Sequence, residues 1–262
     1  MAGADTAAGV PTLTINGAIA TITLRRPEVA NRLELADLDT LLTKVAEVNA
    51  DARVRVLCLT SLGKHFCAGF NVGEVGKSNA NGASGGARFE ALANAIEQAR
   101  PVTIAQLQGG AYGGACDLAL ACDFRIGTPA SEMIVPATQL GLHFYLGGLE
   151  RFVTRLGLTN ARRVLLAAER FDAQGMHRIG MLDRIVEPAD ALATEVTAFA
   201  QRLASLAPLA LLPMKQHLNR IARGTLDVEA VARDIAAAEA SEDLREGARA
   251  WQEKRKPVFH GR

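Results

Sequence analysis

Apolar positions divide this chain into two stretches of different character. Thr12 to Ile15 and Ile19 to Leu24 are β-branched runs around Asn16-Gly17, the dipeptide favoured in tight hairpins, so a β-hairpin is expected to open the chain and to end at Arg25-Arg26-Pro27. Asn31 is expected to cap a helix, because Leu35, Leu38, Leu41, Leu42, Val45 and Val48 then recur at the spacing of one helical face. Val54 to Thr60 predicts a buried strand, Arg88 to Ala99 a helix, and Val102 to Leu107 a second strand entered through Pro101. Gly113 to Ala121 predicts a buried helix, with a strand from Phe124 to Ile126. Strand alternating with helix is the pattern of a parallel sheet built through βα crossovers, hence an α/β fold.

After about Gly147 the pattern is helical only. Leu149 to Ala168, Ala189 to Leu206, Leu209 to Arg223, Val228 to Ala240 and Leu244 to Lys256 have helical spacing, with breaks at Gly157, Pro188, Pro208 and Gly224. This predicts a core over 1–195 and a helical region over 196–262. Ser78 to Gly86 is a run of small residues with few apolar ones, expected to form a mobile loop over a site.

Composition narrows the function classes. Of the 262 residues, 49% are hydrophobic and 22% charged, which excludes disorder and a fibrous repeat, and no apolar run is long enough to span a bilayer. Twenty-nine basic against 28 acidic residues give a net charge of +1, too little to draw the chain to nucleic acid or to an anionic membrane. Only the end is locally basic, with Arg249, Lys254, Arg255, Lys256 and Arg262 against Glu253. The first ten residues lack the pattern of a secretory signal, so a cytoplasmic location is expected. Cys58, Cys67, Cys116 and Cys122 sit in apolar surroundings and are expected to be reduced core thiols. His177, His217 and His260 show no zinc-ligand spacing, and no metal site is indicated.

Two familiar strings are set aside. Gly82-Ala83-Ser84-Gly85-Gly86 fits the nucleophile-elbow pattern but lacks the strand that must precede its serine. Gly109-x-Ala111-x-x-Gly114 nearly fits the dinucleotide fingerprint, with Glu132 as a ribose partner, but its middle glycine is missing and two βα elements come first. The same glycines have another use. Free N–H groups at a helix start after Gly113-Gly114 and at the turn Ala68-Gly69, which follows a different strand, can converge on one oxygen as an oxyanion hole.

At these residues the chain resembles the crotonase (enoyl-CoA hydratase/isomerase) superfamily. The matching pieces are Leu24-Arg25-Arg26-Pro27-Glu28 to Asn31, Phe66-Cys67-Ala68-Gly69-Phe70-Asn71, Gly109 to Asp123, Pro136 to Gly148, and Glu253 to Phe259. The resemblance implies a spiral of ββα turns followed by helices that form a homotrimer or a dimer of trimers. It implies an acyl-CoA substrate and no separate cofactor, with the N–H groups of Ala68 and Gly114 on the thioester carbonyl. Lys64, His65, Phe66, Phe70, Asn71 and Gly113 are the other implied CoA-binding positions, and Trp251 and Lys254 are implied at the adenine and phosphate end, often across a subunit boundary. Asp117 falls where hydratases of the family carry a catalytic glutamate, and its other reading is a first-turn aspartate complementing the helix dipole.

The chain departs from that pattern at Pro136-Ala137, where the hydratases it resembles have Pro-Glu. Alanine transfers no proton. His143 and Tyr145 are two nearby candidates to replace the missing acid, the alternative being that they pack the pocket wall or a trimer contact. Glu150 and Arg151 are expected to be a solvated or interface ion pair. Hydration of a 2-enoyl-CoA is the expected reaction, with an isomerase, hydrolase, decarboxylase, ring-chemistry enzyme or non-catalytic acyl-CoA-binding protein as alternatives.

Overall fold

The computed structural model describes residues 9–75, 77 and 84–262. Six strands form the main sheet: β1 (Thr12–Asn16), β2 (Ile19–Leu24), β3 (Val56–Ser61), β4 (Val102–Leu107), β6 (Phe124–Gly127) and β9 (Arg184–Ile185), in the order β1-β2-β3-β4-β6-β9. The β1–β2 hairpin is antiparallel and every other pairing is parallel. A small second sheet joins β5 (Ala111–Tyr112), β7 (Glu132–Ile134) and β8 (Phe171–Asp172) in that order. The helices are α1 (Leu35–Ala50), α2 (Gly85–Glu97), α3 (Gly114–Ala121), α4 (Leu146–Leu165), α5 (Ala173–Arg178), α6 (Leu192–Ala204), α7 (Pro208–Ala222), α8 (Val228–Ala240) and α9 (Glu242–Gln252). The expected α/β class, with helices gathered at the C-terminal end, is the architecture observed.

Strand alternation divides the apolar side chains between two cores. Leu57 and Leu59 of β3 join Ile22, Leu24, Leu38, Leu41, Leu92 and Leu118 on one face of the sheet. Val56 and Cys58 point the other way, onto Leu192, Val196, Ala200 and Leu203 of α6. β3 is therefore buried on both sides over Val56 to Leu59, which is why its sequence there is a continuous apolar run. Buried Lys215 ties α7 to this assembly, its ammonium lying 2.8 Å from Asp123 and 2.6 Å from the Pro101 carbonyl. Among the described residues no single helix is long and apolar enough to cross a membrane.

Several boundaries differ from expectation for local reasons. Asn31 is not the cap of α1: it is buried at a left-handed φ of 56°, and Glu34 caps the helix in a capping box with Asp37. α2 starts three residues early because the Ser84 hydroxyl accepts from the Ala87 N–H, so the supposed elbow serine is a helix cap. Apart from Ser84, Gly85 and Gly86, the expected loop over 78–86 lies outside the described residues. The break expected at Gly157 is present: its φ of 76° and ψ of 155° are non-helical, so α4 is two helical pieces joined at a kink. The two- and three-residue strands of the second sheet leave too short a periodic trace to be expected from sequence.

The loop after β4 lies tight against the turn after β3. A Cβ on Gly109 would sit 2.0 Å from the Lys64 carbonyl oxygen, whereas one on Gly86 would meet nothing within 4 Å. Gly109→Ala is therefore expected to lose about 1–3 kcal/mol of stability by overpacking. Gly86→Ala is expected to be neutral or slightly stabilising in urea unfolding.

Candidate active site

The turn after β3 is shaped by two side-chain amides. Asn31 Nδ2 donates to the carbonyls of Leu62 and His65 at 2.8 and 3.0 Å. Gln108 Nε2 donates to those of Ser61, Gly63 and His65, each at 3.1 Å. The chain then runs through Phe66 and Cys67, both fully buried, into Ala68-Gly69-Phe70. Gly69 has a φ of 84°, and a Cβ there would come 2.5 Å from the Tyr112 carbonyl oxygen and 3.2 Å from the Gly114 nitrogen. Only glycine permits this approach, which brings the Gly69-Phe70 backbone beside the first N–H of α3.

The N–H expected from the first turn belongs to a different residue. Ala68 donates its N–H to the Ala30 carbonyl at 2.8 Å, so it is not free for a ligand. Phe70 pairs with Leu33 in a parallel bridge held by Leu33 N–H to Gly69 O and Asn71 N–H to Leu33 O, both 2.9 Å. In such a bridge the N–H of Phe70 itself points away from Leu33. Among the described residues neither this group nor the Gly114 N–H donates to any acceptor. The sequence places the donor two residues early because β pairing, not composition, decides which N–H is left over.

Both free groups adjoin a cavity of about 180 Å³ lined by Ala68, Phe70, Val72, Phe89, Tyr112, Gly113, Gly114, Val135, Ala137, Leu142, His143, Phe144 and Tyr145, with other apolar side chains. Gly148 backs the two aromatic rings of this lining: a Cβ on it would lie 2.4 Å from the Phe144 ring and 2.8 Å from the Tyr145 ring. Gly148 thus lets both aromatic rings fold back on the start of α4, stacked at a centroid separation of 4.7 Å, while a Cβ on Gly147 would meet Asn94 and Glu90.

Asp117, the expected proton-handling group, is fully buried and is not among the residues lining the cavity. Arg151 grips it with two hydrogen bonds, Nε to Oδ1 at 2.9 Å and Nη2 to Oδ2 at 2.7 Å. Tyr145 donates its hydroxyl to Oδ2 at 2.7 Å, standing between the carboxylate and the cavity. Burial and then the Asp117 charge push the Tyr145 phenol well above the usual tyrosine range. Arg151 is no solvated ion pair: it is fully buried and extends past Asp117 to Asn94 and Glu97, at 2.7 and 3.2 Å. Glu97 is gripped in turn by Arg155 and Arg223, and a polar cavity of about 620 Å³ lies behind it between α2 and α7. Arg151 shares a helical face with buried Gly147, Gly148 and Phe152, and that spacing was the available sign of its burial.

The other expected site residues are dispersed. His143 lines the cavity but is exposed, its Nδ1 2.7 Å from the Phe144 carbonyl. Phe66 is core, with no surface for a ligand. Asn71 caps the short turn Val72–Glu74 and donates to Glu34 at 2.7 Å, outside the cavity lining. Lys64 is exposed, and His65 meets the Tyr112 hydroxyl at 3.3 Å. That hydroxyl donates to Glu132 at 2.6 Å, and Arg170 holds Glu132 at 2.8 Å, so the supposed ribose partner is a structural acceptor. Burial, then Glu132, pushes the Tyr112 phenol up to about 12. Trp251 and Lys254 are exposed at the end of α9 and lie outside the cavity lining.

The sequence profile of the enoyl-CoA hydratase/isomerase family matches residues 14–262. The chain belongs to this family, the crotonase superfamily. Among curated relatives, it is 30% identical over 247 residues to the short-chain-enoyl-CoA hydratase of Clostridium acetobutylicum, covering 92% of this chain and 93% of that one. It is 32% identical over 247 residues to the crotonyl-CoA hydratase of Syntrophomonas wolfei, covering 92% and 94%. A crystal structure of a putative enoyl-CoA hydratase from Streptomyces coelicolor superposes with a TM-score of 0.88 at 27% identity, covering 100% of this chain and 98% of that one.

Removing one partner of a buried ion pair strands the other. Arg151→Met is expected to cost about 3–5 kcal/mol in urea unfolding, and Asp117→Asn combined with it to recover most of the loss. All four cysteines are buried and free, and burial pushes the Cys58, Cys67 and Cys122 thiols up to about 12. Thiolate is the reacting form, so iodoacetamide near neutral pH is expected to label none of them until the protein unfolds.

Proposed function

We propose that this protein binds acyl-CoA thioesters with the carbonyl oxygen between the N–H groups of Phe70 and Gly114 and stabilises the enolate that forms there. The single observation behind this is the pair of unengaged N–H groups from two separate βα turns, brought together at Gly69 beside an apolar cavity. Negative charge growing on the oxygen is met by fixed dipoles in a water-poor pocket, and one such donor is typically worth about 10²–10³ in rate. The N-terminus of α3 adds its positive end at the same point. Family membership supports hydratase or isomerase chemistry, and hydration of a 2-enoyl-CoA to a 3-hydroxyacyl-CoA is the first reaction to assay.

Decarboxylation of a 2-carboxyacyl-CoA, in which the enolate forms by loss of CO2 and then needs only one proton delivered, is the second reading, and Ala137 favours it. That alanine lines the cavity, Asp117 is withdrawn behind Tyr145, and no carboxylate among the described residues lines the pocket to take a proton from water. On the assembly, the exposed apolar stripe Met214, Leu218 and Ile221 on α7 supports a homotrimer or a dimer of trimers. Trp251 and Lys254, exposed on the monomer, remain the groups proposed for the adenine and phosphate end of CoA.

Crotonyl-CoA, 3-butenoyl-CoA, malonyl-CoA and butyryl-CoA, each incubated with the protein and resolved by chromatography and mass, test the reading. At least one of the first three is expected to be consumed, with hydration, isomerisation, hydrolysis and decarboxylation giving distinguishable products. Absence of measurable binding of butyryl-CoA would overturn it.

A further inference from the structure

Every reaction that passes through a thioester enolate, whether water has added, a double bond has moved or a carboxylate has left, needs a proton delivered to carbon. The groups able to deliver one are few here. Of the titratable side chains lining the cavity, His143 is exposed at Leu142-His143-Phe144, and the Tyr112 hydroxyl is committed to Glu132 in the second sheet. The undescribed positions 76 and 78–83 carry no titratable side chain in the sequence. Tyr145 remains. Its hydroxyl oxygen lies 2.7 Å from Asp117, which stands three residues, about one helical turn, after Gly114. The phenol is therefore beside the same turn of α3 that presents the Gly114 N–H.

Resting on the acyl-CoA reading above, we propose that Tyr145 is the catalytic acid of this site, giving its phenolic proton to the α-carbon of the enolate, and that Asp117 is a positioning residue. The step balances simply. The O–H bond breaks as the new C–H bond forms, the enolate electron pair that makes this bond leaves a neutral thioester carbonyl, and the phenolate regains a proton from solvent. The α-position of a thioester is a far weaker acid than any phenol, so the transfer runs downhill.

The surroundings fix the direction of transfer. The charged groups facing the phenol are Asp117 from α3, Arg151 from α4 and Glu90 from α2. Arg151 supplies two hydrogen bonds to Asp117, so the carboxylate stays held when the phenol turns its proton toward a ligand. Two carboxylates close to one phenol oppose its ionisation, which keeps Tyr145 an acid and prevents its use as a base. Asp117 is one methylene shorter than the glutamate of the hydratases it resembles, and Tyr145 fills the space between it and the cavity.

The test uses crotonyl-CoA and malonyl-CoA as probes in D2O, with butyryl-CoA for binding. The wild type is expected to consume at least one probe and to place one deuterium on the α-carbon of the product. Tyr145→Phe is expected to lower kcat at least about 100-fold while binding butyryl-CoA within about threefold of the wild-type Kd. Asp117→Asn is expected to retain turnover and to bring the alkaline limb of the pH profile to lower pH. Without the carboxylate the phenol ionises more easily, and the activity that needs its proton is lost earlier as pH rises. Unchanged kcat in Tyr145→Phe, or abolished turnover at every pH in folded Asp117→Asn, overturns the proposal. A wild type that binds butyryl-CoA but consumes neither probe also overturns it, leaving the binding site intact. A wild type that binds no acyl-CoA removes the functional reading itself.

Discussion

Two backbone turns pressed against each other where no side chain fits set the geometry of this molecule. At Gly69 a Cβ would strike the Tyr112 carbonyl and crowd the Gly114 nitrogen, and at Gly109 it would strike the Lys64 carbonyl. These contacts fix the separation between the turn after β3 and the loop after β4, and hence between the N–H groups of Phe70 and Gly114. Two orphan donors in an apolar setting are costly unless a ligand engages them. They persist here because the parallel bridge at Leu33 and the start of α3 each use the neighbouring groups and leave one over.

The charges follow from the same packing. Asp117 is fully buried one turn into α3, whose start packs on Phe89, so an ionised carboxylate there needs a partner inside the protein. Arg151, also fully buried, provides it, and Glu97, Arg155 and Arg223 continue the alternation of charge to the polar cavity behind. A pair of this kind is a weak source of stability, since burial costs both ions their hydration. Its evident work is geometric: it holds Asp117 at one position and Tyr145 with it.

Much of the fold was legible in the chain because the central strands β3 and β4 are buried on both faces and helices such as α1 on one. The hairpin around Asn16-Gly17, α1 and the strands at 56–61 and 102–107 fall close to where apolar periodicity puts them. The second sheet was not legible, since two- or three-residue strands have no period. Nor was the cap of α1 at Glu34, because Asn31, the better cap by residue type, is taken by the carbonyls of Leu62 and His65.

By itself the sequence determined the α/β class, the family, the glycine turns at 68–69 and 113–114 and the loss of the second acid at Ala137. These are properties of residue type and order, and they survive without coordinates. Only the tertiary structure decided that Phe70, not Ala68, offers the free N–H, that Arg151 is buried on Asp117, and that Tyr145 stands between that carboxylate and the cavity. Each of those depends on which group is left over when elements distant in sequence pair and pack, and hydrogen-bond partners tens of residues apart leave no mark in local pattern.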